Sequence, residues 1–296
     1  MEYSEFLEHV RVKSMPIAKE GGTVLINHVI KNNGCEFDGL VITEKDSRVS
    51  PTIYLNSYYD DYKGGREIED IVNDIHRIYI ENKDRITVNP NDFMDFDKIK
   101  STIVYKLINY EKNEKLLESV PHKRMLDLAI VYYCLLIQDD DSNATALIYN
   151  KNMEKWNVTL EDIHDNAVRN TPRLLATRIS PMSSLIDEVA TGISPKDIEY
   201  TFGEMYVLTN TSRINGAACM LYGDVLKDCA DRIGKDLYIL PSSIHEVILL
   251  PQLEIYKKEE LCDMVREVNS VGVSREEILS DNVYIYNRKE HKIMLW

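Results

Sequence analysis

Hydrophobic positions in the first third of the chain switch between helical and strand spacing. Apolar residues recur three and four positions apart from Tyr3 to about Lys13, which predicts a short helix with Ser4 as its cap. Between residues 23 and 55, branched residues alternate with polar ones, a pattern typical of a small antiparallel sheet. An apolar stripe over residues 58–81 then predicts a long helix that Gly64-Gly65 interrupts near its start.

The longest apolar run lies in the middle of the chain and predicts a central strand. It extends from Leu128 to Ile137, about half the length that a membrane-spanning helix needs. Residues 96–108 precede it as a helix running into a strand, residues 144–149 return beside it, and Thr159 caps the helix that follows. Because such a run cannot be a solvated edge, we expect most of its side chains to be buried. They are Leu128, Ile130, Val131, Tyr133, Leu135 and Leu136.

Short strands and helices alternate in the last third, and together with the earlier elements they predict the fold class. Strands are predicted at 205–209, 237–240, 247–250, 283–286 and 293–295, and helices at 224–233 and 258–268. The pattern predicts an α+β fold of mixed, largely antiparallel sheets packed with helices.

A polar stretch with three prolines, residues 171–204, is the best candidate for a domain boundary. It divides the chain beyond an N-terminal α/β subdomain at 1–84 into a middle α+β block at 96–170 and a C-terminal α+β block at 205–296. We expect the last two blocks to pack together, because each alone has few strands with which to cover its apolar face.

Two segments at strand entrances are similar. Leu116–Leu126 and Tyr238–Glu246 each place a proline and a histidine ahead of an apolar strand. A degenerate internal repeat explains this similarity, and so does shared turn chemistry at a strand entrance. Both explanations stay open.

Charge and cysteine usage narrow the choice of partners. Lys and Arg number 35 against 49 Asp and Glu, and the net charge of −14 repels phosphate backbones, so we expect no nucleic-acid partner. The acidic amphipathic start differs from a secretory signal, and no apolar run is long enough for a membrane helix, so we expect a cytoplasmic protein without a membrane partner.

Five cysteines at unrelated spacings indicate reduced, mostly buried thiols. We expect no cofactor and no metal, because phosphate loops, dinucleotide fingerprints and metal-ligand spacings do not occur.

The sharpest candidate chemistry lies in the segment from Ser242 to Glu246. Histidine is the side chain most often used for proton transfer, and His245 has a carboxylate and two hydroxyls within three positions, so a hydrolase or transferase could use His245 and Glu246 with Ser242 or Ser243. A nucleophile elbow is lacking, and polar turn residues commonly bond to nearby backbone. A structural turn is therefore favoured over catalysis.

Three further features have a functional and a structural interpretation. His122, beside a lysine and an arginine, could join the catalytic set or form a small anion site with His245. Asp139, Asp141 and Asn143 match the first ligands of a calcium loop, but the glycine and the glutamate of that loop are missing, so a solvated turn is favoured. Cys219 has apolar neighbours, which favours a buried and inert thiol.

The function that we expect is a non-enzymatic protein-binding or regulatory role, with another protein as the partner. Tyr54, Tyr58, Tyr59 and Tyr62 cluster where the predicted sheet meets a helix. Such a cluster usually packs the core and its rim, although exposed tyrosines also serve protein interfaces. A cleft that brings His122 within hydrogen-bond reach of Glu246 or a serine would instead favour an enzyme.

Five stretches of the chain carry a resemblance to a known family. They are Lys31-Asn32-Asn33-Gly34, Ser50–Leu55, Val120-Pro121-His122, the segment around Trp156, and Leu240–Val247. Through them the chain resembles an uncharacterised family, a domain of unknown function, of gut Clostridia (Lachnospiraceae and relatives, Firmicutes). The stretches cover nearly the whole chain, so the match is full length. The resemblance implies an anaerobic Gram-positive cytoplasm as the source and brings no activity, cofactor or catalytic residue.

Overall fold

A computed structural model describes residues 1–18, 21–44, 50–83, 90–138, 143–184, 205–241 and 243–296. The chain forms two compact units. The first unit contains Met1–Ile99 and Leu136–Thr145, and the second contains Lys100–Leu135 and Ala146–Trp296. The division into three blocks stays a prediction.

The first unit is a three-stranded antiparallel sheet covered by helices. Its elements are α1 (Tyr3–Ser14), β1 (Thr23–Ile30), β2 (Glu36–Thr43), β3 (Thr52–Tyr54), α2 (Asn56–Lys63), α3 (Ile68–Asn82), α4 (Pro90–Phe93) and α5 (Phe96–Ile99). The strand order is β1-β2-β3, and apolar residues of α1 and α3 pack against one face of the sheet. The predicted helix, sheet and interrupted helix are confirmed. Ser4 is not the cap of α1, because the helix begins after Glu2, whose backbone N–H donates to Glu5.

The second unit contains two sheets. Its elements begin with β4 (Ile103–Asn109), α6 (Glu114–Leu117), β5 (His122–Met125), β6 (Leu128–Gln138), β7 (Asn143–Leu147), α7 (Asn150–Trp156), α8 (Leu160–Leu174), β8 (Thr177–Pro181) and β9 (Tyr206–Asn210). They continue with α9 (Val225–Ile233), β10 (Leu237–Leu240), β11 (Val247–Pro251), α10 (Lys258–Val271), β12 (Tyr284–Asn287) and β13 (Lys292–Leu295). The end of β6 and the start of β7 are counted with the first unit.

β6 is the predicted central strand. It pairs with β4 on one side and with β5 and β7 on the other, and the remaining strands form an antiparallel sheet in the order β13-β12-β10-β11-β9-β8. In β6, Leu128, Val131, Tyr133 and Leu135 are buried, as predicted, whereas Ile130 and Leu136 are partly buried. The fold is therefore α+β with antiparallel sheets.

Local signals account for the ends of the helices in this unit. The Thr159 side chain accepts the backbone N–H of Asp162, and the Asp162 carboxylate accepts that of Thr159, which is the predicted capping box of α8. Gly234 ends α9 with a φ of 79°, a left-handed conformation that glycine adopts without strain. Within the described ranges, every helix is too short or too polar to cross a bilayer.

The two segments compared as a possible repeat differ in their elements. Leu116–Leu126 runs from the end of α6 through β5, whereas Tyr238–Glu246 contains most of β10 and part of the loop after it. The order of elements therefore lends the repeat no support.

Candidate functional site

His245 lies in the loop between β10 and β11, which backbone hydrogen bonds fix on two sides. The N–H of Ile244 donates to Glu277 O (2.8 Å), and the N–H of Ala217 donates to Ile244 O (3.2 Å). The N–H of His245 itself donates to Ser243 Oγ at 3.0 Å. The residue lies in a bend that precedes β11.

Both ring nitrogens of His245 have partners. Nδ1 lies 3.2 Å from the backbone N–H of Asn215 and can only accept there, so the proton of the neutral ring sits on Nε2. Nε2 lies 3.2 Å from Oε1 of Glu277. The His245 side chain is 27% exposed and the Glu277 side chain 40% exposed. A general base needs a free lone pair, and in this arrangement the lone pair of Nδ1 is taken by a backbone donor.

The candidate partners of His245 are arranged differently from the catalytic hypothesis. Ser243 is 6% exposed, and its hydroxyl accepts a backbone N–H, which is the turn chemistry that the sequence favoured. Ser242 lies outside the described residues. The carboxylate at the ring belongs to Glu277, 32 residues away, and not to the neighbouring Glu246. The structure thus gives His245 a polar environment without a nucleophile at its ring nitrogens among the described residues.

His122 begins β5 and has local contacts. Its Nδ1 is 3.1 Å from Val120 O, and its ring packs edge-on against Tyr110 with 6.0 Å between centroids. Lys123 forms an ion pair with Glu161 at 2.8 Å, and Arg124 Nε donates to the carbonyl of Leu126. Lys123 and Arg124, the basic residues that suggested an anion site, therefore already bind partners close to them. These contacts join His122 to neither Glu246 nor a serine.

The His245 loop is also hydrogen-bonded to β9, at a place where Gly216 leaves no room for a side chain. The Thr209 hydroxyl donates to His245 O at 2.8 Å, and the Cys219 thiol donates to Thr209 O at 3.2 Å. Gly216 lies so close to these groups that a Cβ would come within 2.8 Å of the Asn210 nitrogen and closer still to Thr209 Oγ1 and His245 O. Cys219 is fully buried, as expected, and burial raises the pKa of its thiol to about 11, which disfavours the reactive thiolate.

The tyrosine cluster of the first unit is partly buried, and two of its four hydroxyls form hydrogen bonds within the unit. Tyr59 donates to Met1 O at 3.3 Å, and Tyr62 accepts from the Met1 ammonium at 3.2 Å. The rings of Tyr59 and Tyr62 stack at 6.3 Å. This is core and rim packing, the first of the two interpretations of the cluster.

A carboxylate that the sequence did not single out binds a distant segment. Asp127, in the turn between β5 and β6, accepts from Ser280 Oγ (2.6 Å), Tyr284 Oη (2.7 Å) and Asn282 Nδ2 (3.0 Å). These partners lie more than 150 residues away, so spacing could not have revealed them. Tyr284 is fully buried, and burial together with the charge of Asp127 raises the pKa of its hydroxyl. These hydrogen bonds fix the β5–β6 turn to the segment at residues 280–284.

A second feature that the sequence did not reveal is a polar cleft of about 930 Å³ in the second unit. It is bounded by the C-terminal end of α9, the residues after β11 and the turn between β12 and β13. Its basic lining residues are Lys227, Lys235, Arg288, Lys289 and His291, and its acidic ones are Asp231, Asp236 and Glu254.

Metal ligands are not grouped in the described part of the chain, where no three His, Cys, Asp or Glu side chains could hold an ion together. The calcium-loop interpretation rests on Asp139 and Asp141, which lie outside the described residues. All five cysteines are free, and Cys134, Cys219 and Cys229 are buried, which agrees with the expected unpaired thiols.

Fold and site define a class: an α+β protein of antiparallel sheets whose best catalytic candidate is held in place by hydrogen bonds. The chain belongs to a family of unknown function (DUF5688), whose family model matches residues 3–288. This confirms the predicted likeness to an uncharacterised family. No curated protein and no solved structure matches the chain. Function must therefore be argued from its own residues.

Proposed function

We propose that this protein is a non-enzymatic binding or regulatory protein whose partner is another protein, and not nucleic acid or a membrane. The observation that carries the proposal is the edge of the sheet in the first unit. β1 is eight residues long and pairs with β2 on one side, and no strand of the described residues pairs with its other side. A long strand edge presents backbone donors and acceptors to which an extended segment can add.

The side chains of β1 suit such a contact. Leu25 and Ile30 are 51% and 45% exposed, although both are large apolar residues. They lie five positions apart and so point to opposite faces of the strand, where each can contact one of the two alternate sets of side chains of an added strand. The net charge of −14 favours a partner segment with basic residues, since opposite charge speeds the encounter. The proposed partner is therefore an extended basic segment of another protein.

The alternative is a hydrolase or transferase that uses His245, with Glu246 and Ser242 or Ser243. Its supporting observation is the His245–Glu277 pair, which is partly open to solvent. The backbone donor at Nδ1 of His245 argues against it. Five free thiols support a reducing cytoplasm as the location, and an origin in gut Clostridia is proposed with it.

The test compares two lysine substitutions in the first unit. Leu25→Lys places a charge on the β1 edge, and Val12→Lys places one at a similarly exposed position of α1 (48%) as the matched control. A partner captured by the wild-type chain and then purified should bind Leu25→Lys with an affinity lower by more than about 1 kcal/mol, and Val12→Lys unchanged.

Equal binding to both variants would contradict the edge-strand proposal. Turnover of a substrate that disappears in His245→Ala, with an unchanged melting temperature, would establish the enzymatic alternative. We expect His245→Ala to lower the melting temperature, because Asn215 and Glu277 both lose a hydrogen-bond partner.

A further inference from the structure

The polar cleft of the second unit is lined by more cationic than anionic side chains. Four permanent cations and His291 face three carboxylates there, in a chain of net charge −14. A concave site of this sign concentrates anions locally, since the field inside a cleft depends on its own lining more than on the total charge. Its volume of about 930 Å³ is in the range of small-molecule sites.

Contacts within the cleft fix the guanidinium of Arg288 and give the carboxylate of Asp231 two cationic partners. Arg288 Nε donates to Asp231 at 2.6 Å, and its backbone N–H donates to Asp236 Oδ1 at 3.0 Å. Lys227 lies 3.4 Å from the other oxygen of Asp231. These two cations lower the pKa of Asp231, chiefly through the Arg288 hydrogen bond, so this carboxylate stays ionised and holds the guanidinium in place.

Lys235 and Lys289 are the two lysines of the cleft that these contacts do not involve. Lys235 follows the C-terminal glycine of α9, and Lys289 lies in the turn after β12. Neither forms an ion pair with the described residues, and both are exposed to solvent. Two exposed ammonium groups and an oriented guanidinium thus line the same cleft, and groups of these types bind the oxygens of phosphate.

The rest of the lining indicates what the phosphate is attached to. Apart from Leu253, the side chains around the cations are polar, and His291 is the one ring among the lining residues of the described chain. Gln252 and Glu254 offer oxygens that accept from hydroxyl groups. An aromatic base would find little surface on which to stack, whereas a hydroxylated carbon chain would find acceptors.

We propose that this cleft binds a phosphorylated sugar or polyol. Lys235, Lys289 and Arg288 hold the phosphate, and Gln252 and Glu254 accept from the hydroxyls. The proposal concerns the second unit, whereas the proposed protein partner binds β1 in the first, so each can fail without the other.

The experiment titrates the full chain with glucose 6-phosphate, inorganic phosphate and glucose by isothermal calorimetry. The test variant is Lys235→Ala/Lys289→Ala. The control is Lys151→Ala/Lys155→Ala, which removes two exposed lysines from α7 in the same unit and changes the net charge equally. Melting temperatures verify that both variants are folded.

We expect glucose 6-phosphate to bind most tightly, and inorganic phosphate more weakly. Binding should weaken by at least about tenfold in the test variant, remain unchanged in the control, and decline with added salt. No binding of glucose 6-phosphate at millimolar concentration, or equal binding to test variant and control, would overturn the site. Inorganic phosphate binding as tightly as glucose 6-phosphate, or glucose binding as tightly, would overturn the ligand class.

Discussion

The substitution Gly216→Ala tests how tightly the His245 loop is packed. Gly216 begins the short 3-10 helix Gly216–Leu221, and its φ is not positive, so alanine is compatible with its backbone conformation. In open space, this substitution would stabilise the protein by up to about 1 kcal/mol, because it restricts the unfolded chain. The added Cβ, however, would overlap Thr209 Oγ1, His245 O and the Asn210 nitrogen.

The magnitude follows from what would have to move. Two of the three obstructing atoms are backbone atoms of β9 and of the His245 loop, which cannot rotate away as the end of a side chain does. Overpacking of this kind costs about 1–3 kcal/mol and occasionally more. Separating Thr209 from His245 O would also remove a hydrogen bond worth about 1 kcal/mol. We therefore expect the free energy of unfolding to fall by about 2–4 kcal/mol.

Urea unfolding followed by tryptophan fluorescence measures this loss. Both tryptophans, Trp156 and Trp296, belong to the second unit, so the signal reports on the unit that contains Gly216. Gly272→Ala is the matched control, because a Cβ there lies 3.3 Å from a single carbonyl, that of Val268. The control should change stability by less than about 1 kcal/mol. A loss below about 1 kcal/mol for Gly216→Ala would refute the packing argument.

Three further predictions concern the polar and ionisable groups. Asp127→Ala leaves three donors without their acceptor and should cost about 2–4 kcal/mol in urea unfolding; a loss below about 1 kcal/mol would contradict the cluster's role. Burial lowers the pKa of His164 in the folded state, so the unfolded chain takes up its proton first and stability should fall as the pH drops below about 6.5. Melting curves of His164→Gln should show a smaller fall, and an equal fall would exclude this residue as a cause. A thiol reagent at pH 8 should label the partly exposed Cys35 and Cys262 quickly and the three buried thiols only after unfolding, whereas five fast thiols would disagree with the burial.

Elements set by local sequence were predicted well. The capping box of α8 and the glycine that ends α9 depend on residues a few positions apart, and strand β10 was predicted with its observed bounds. The apolar run of β6 predicted a central strand, because only a strand with neighbours on both sides buries such a sequence.

The partners in the candidate site could not be predicted in the same way. Sequence reasoning paired His245 with Glu246 and Ser243, the polar groups next to it in the chain. In the fold its ring meets Asn215 and Glu277, which are 30 and 32 residues away. The order of the strands decides which distant segments become neighbours of the β10–β11 loop. Neither residue spacing nor hydrophobic periodicity predicts that order.

The segment between α10 and β12 makes polar contacts with three other parts of the second unit. Glu277 contacts His245, Ser280 contacts Asp127, and Asp281 forms an ion pair with Lys112 at 3.1 Å. These contacts thus connect the segment to the β10–β11 loop and to the β5–β6 turn. His245, which the sequence singled out as a candidate for chemistry, forms hydrogen bonds there that hold its loop in place. Ligand binding is better sought where charges lack partners, and in the described part of this unit Lys235 and Lys289 are such charges.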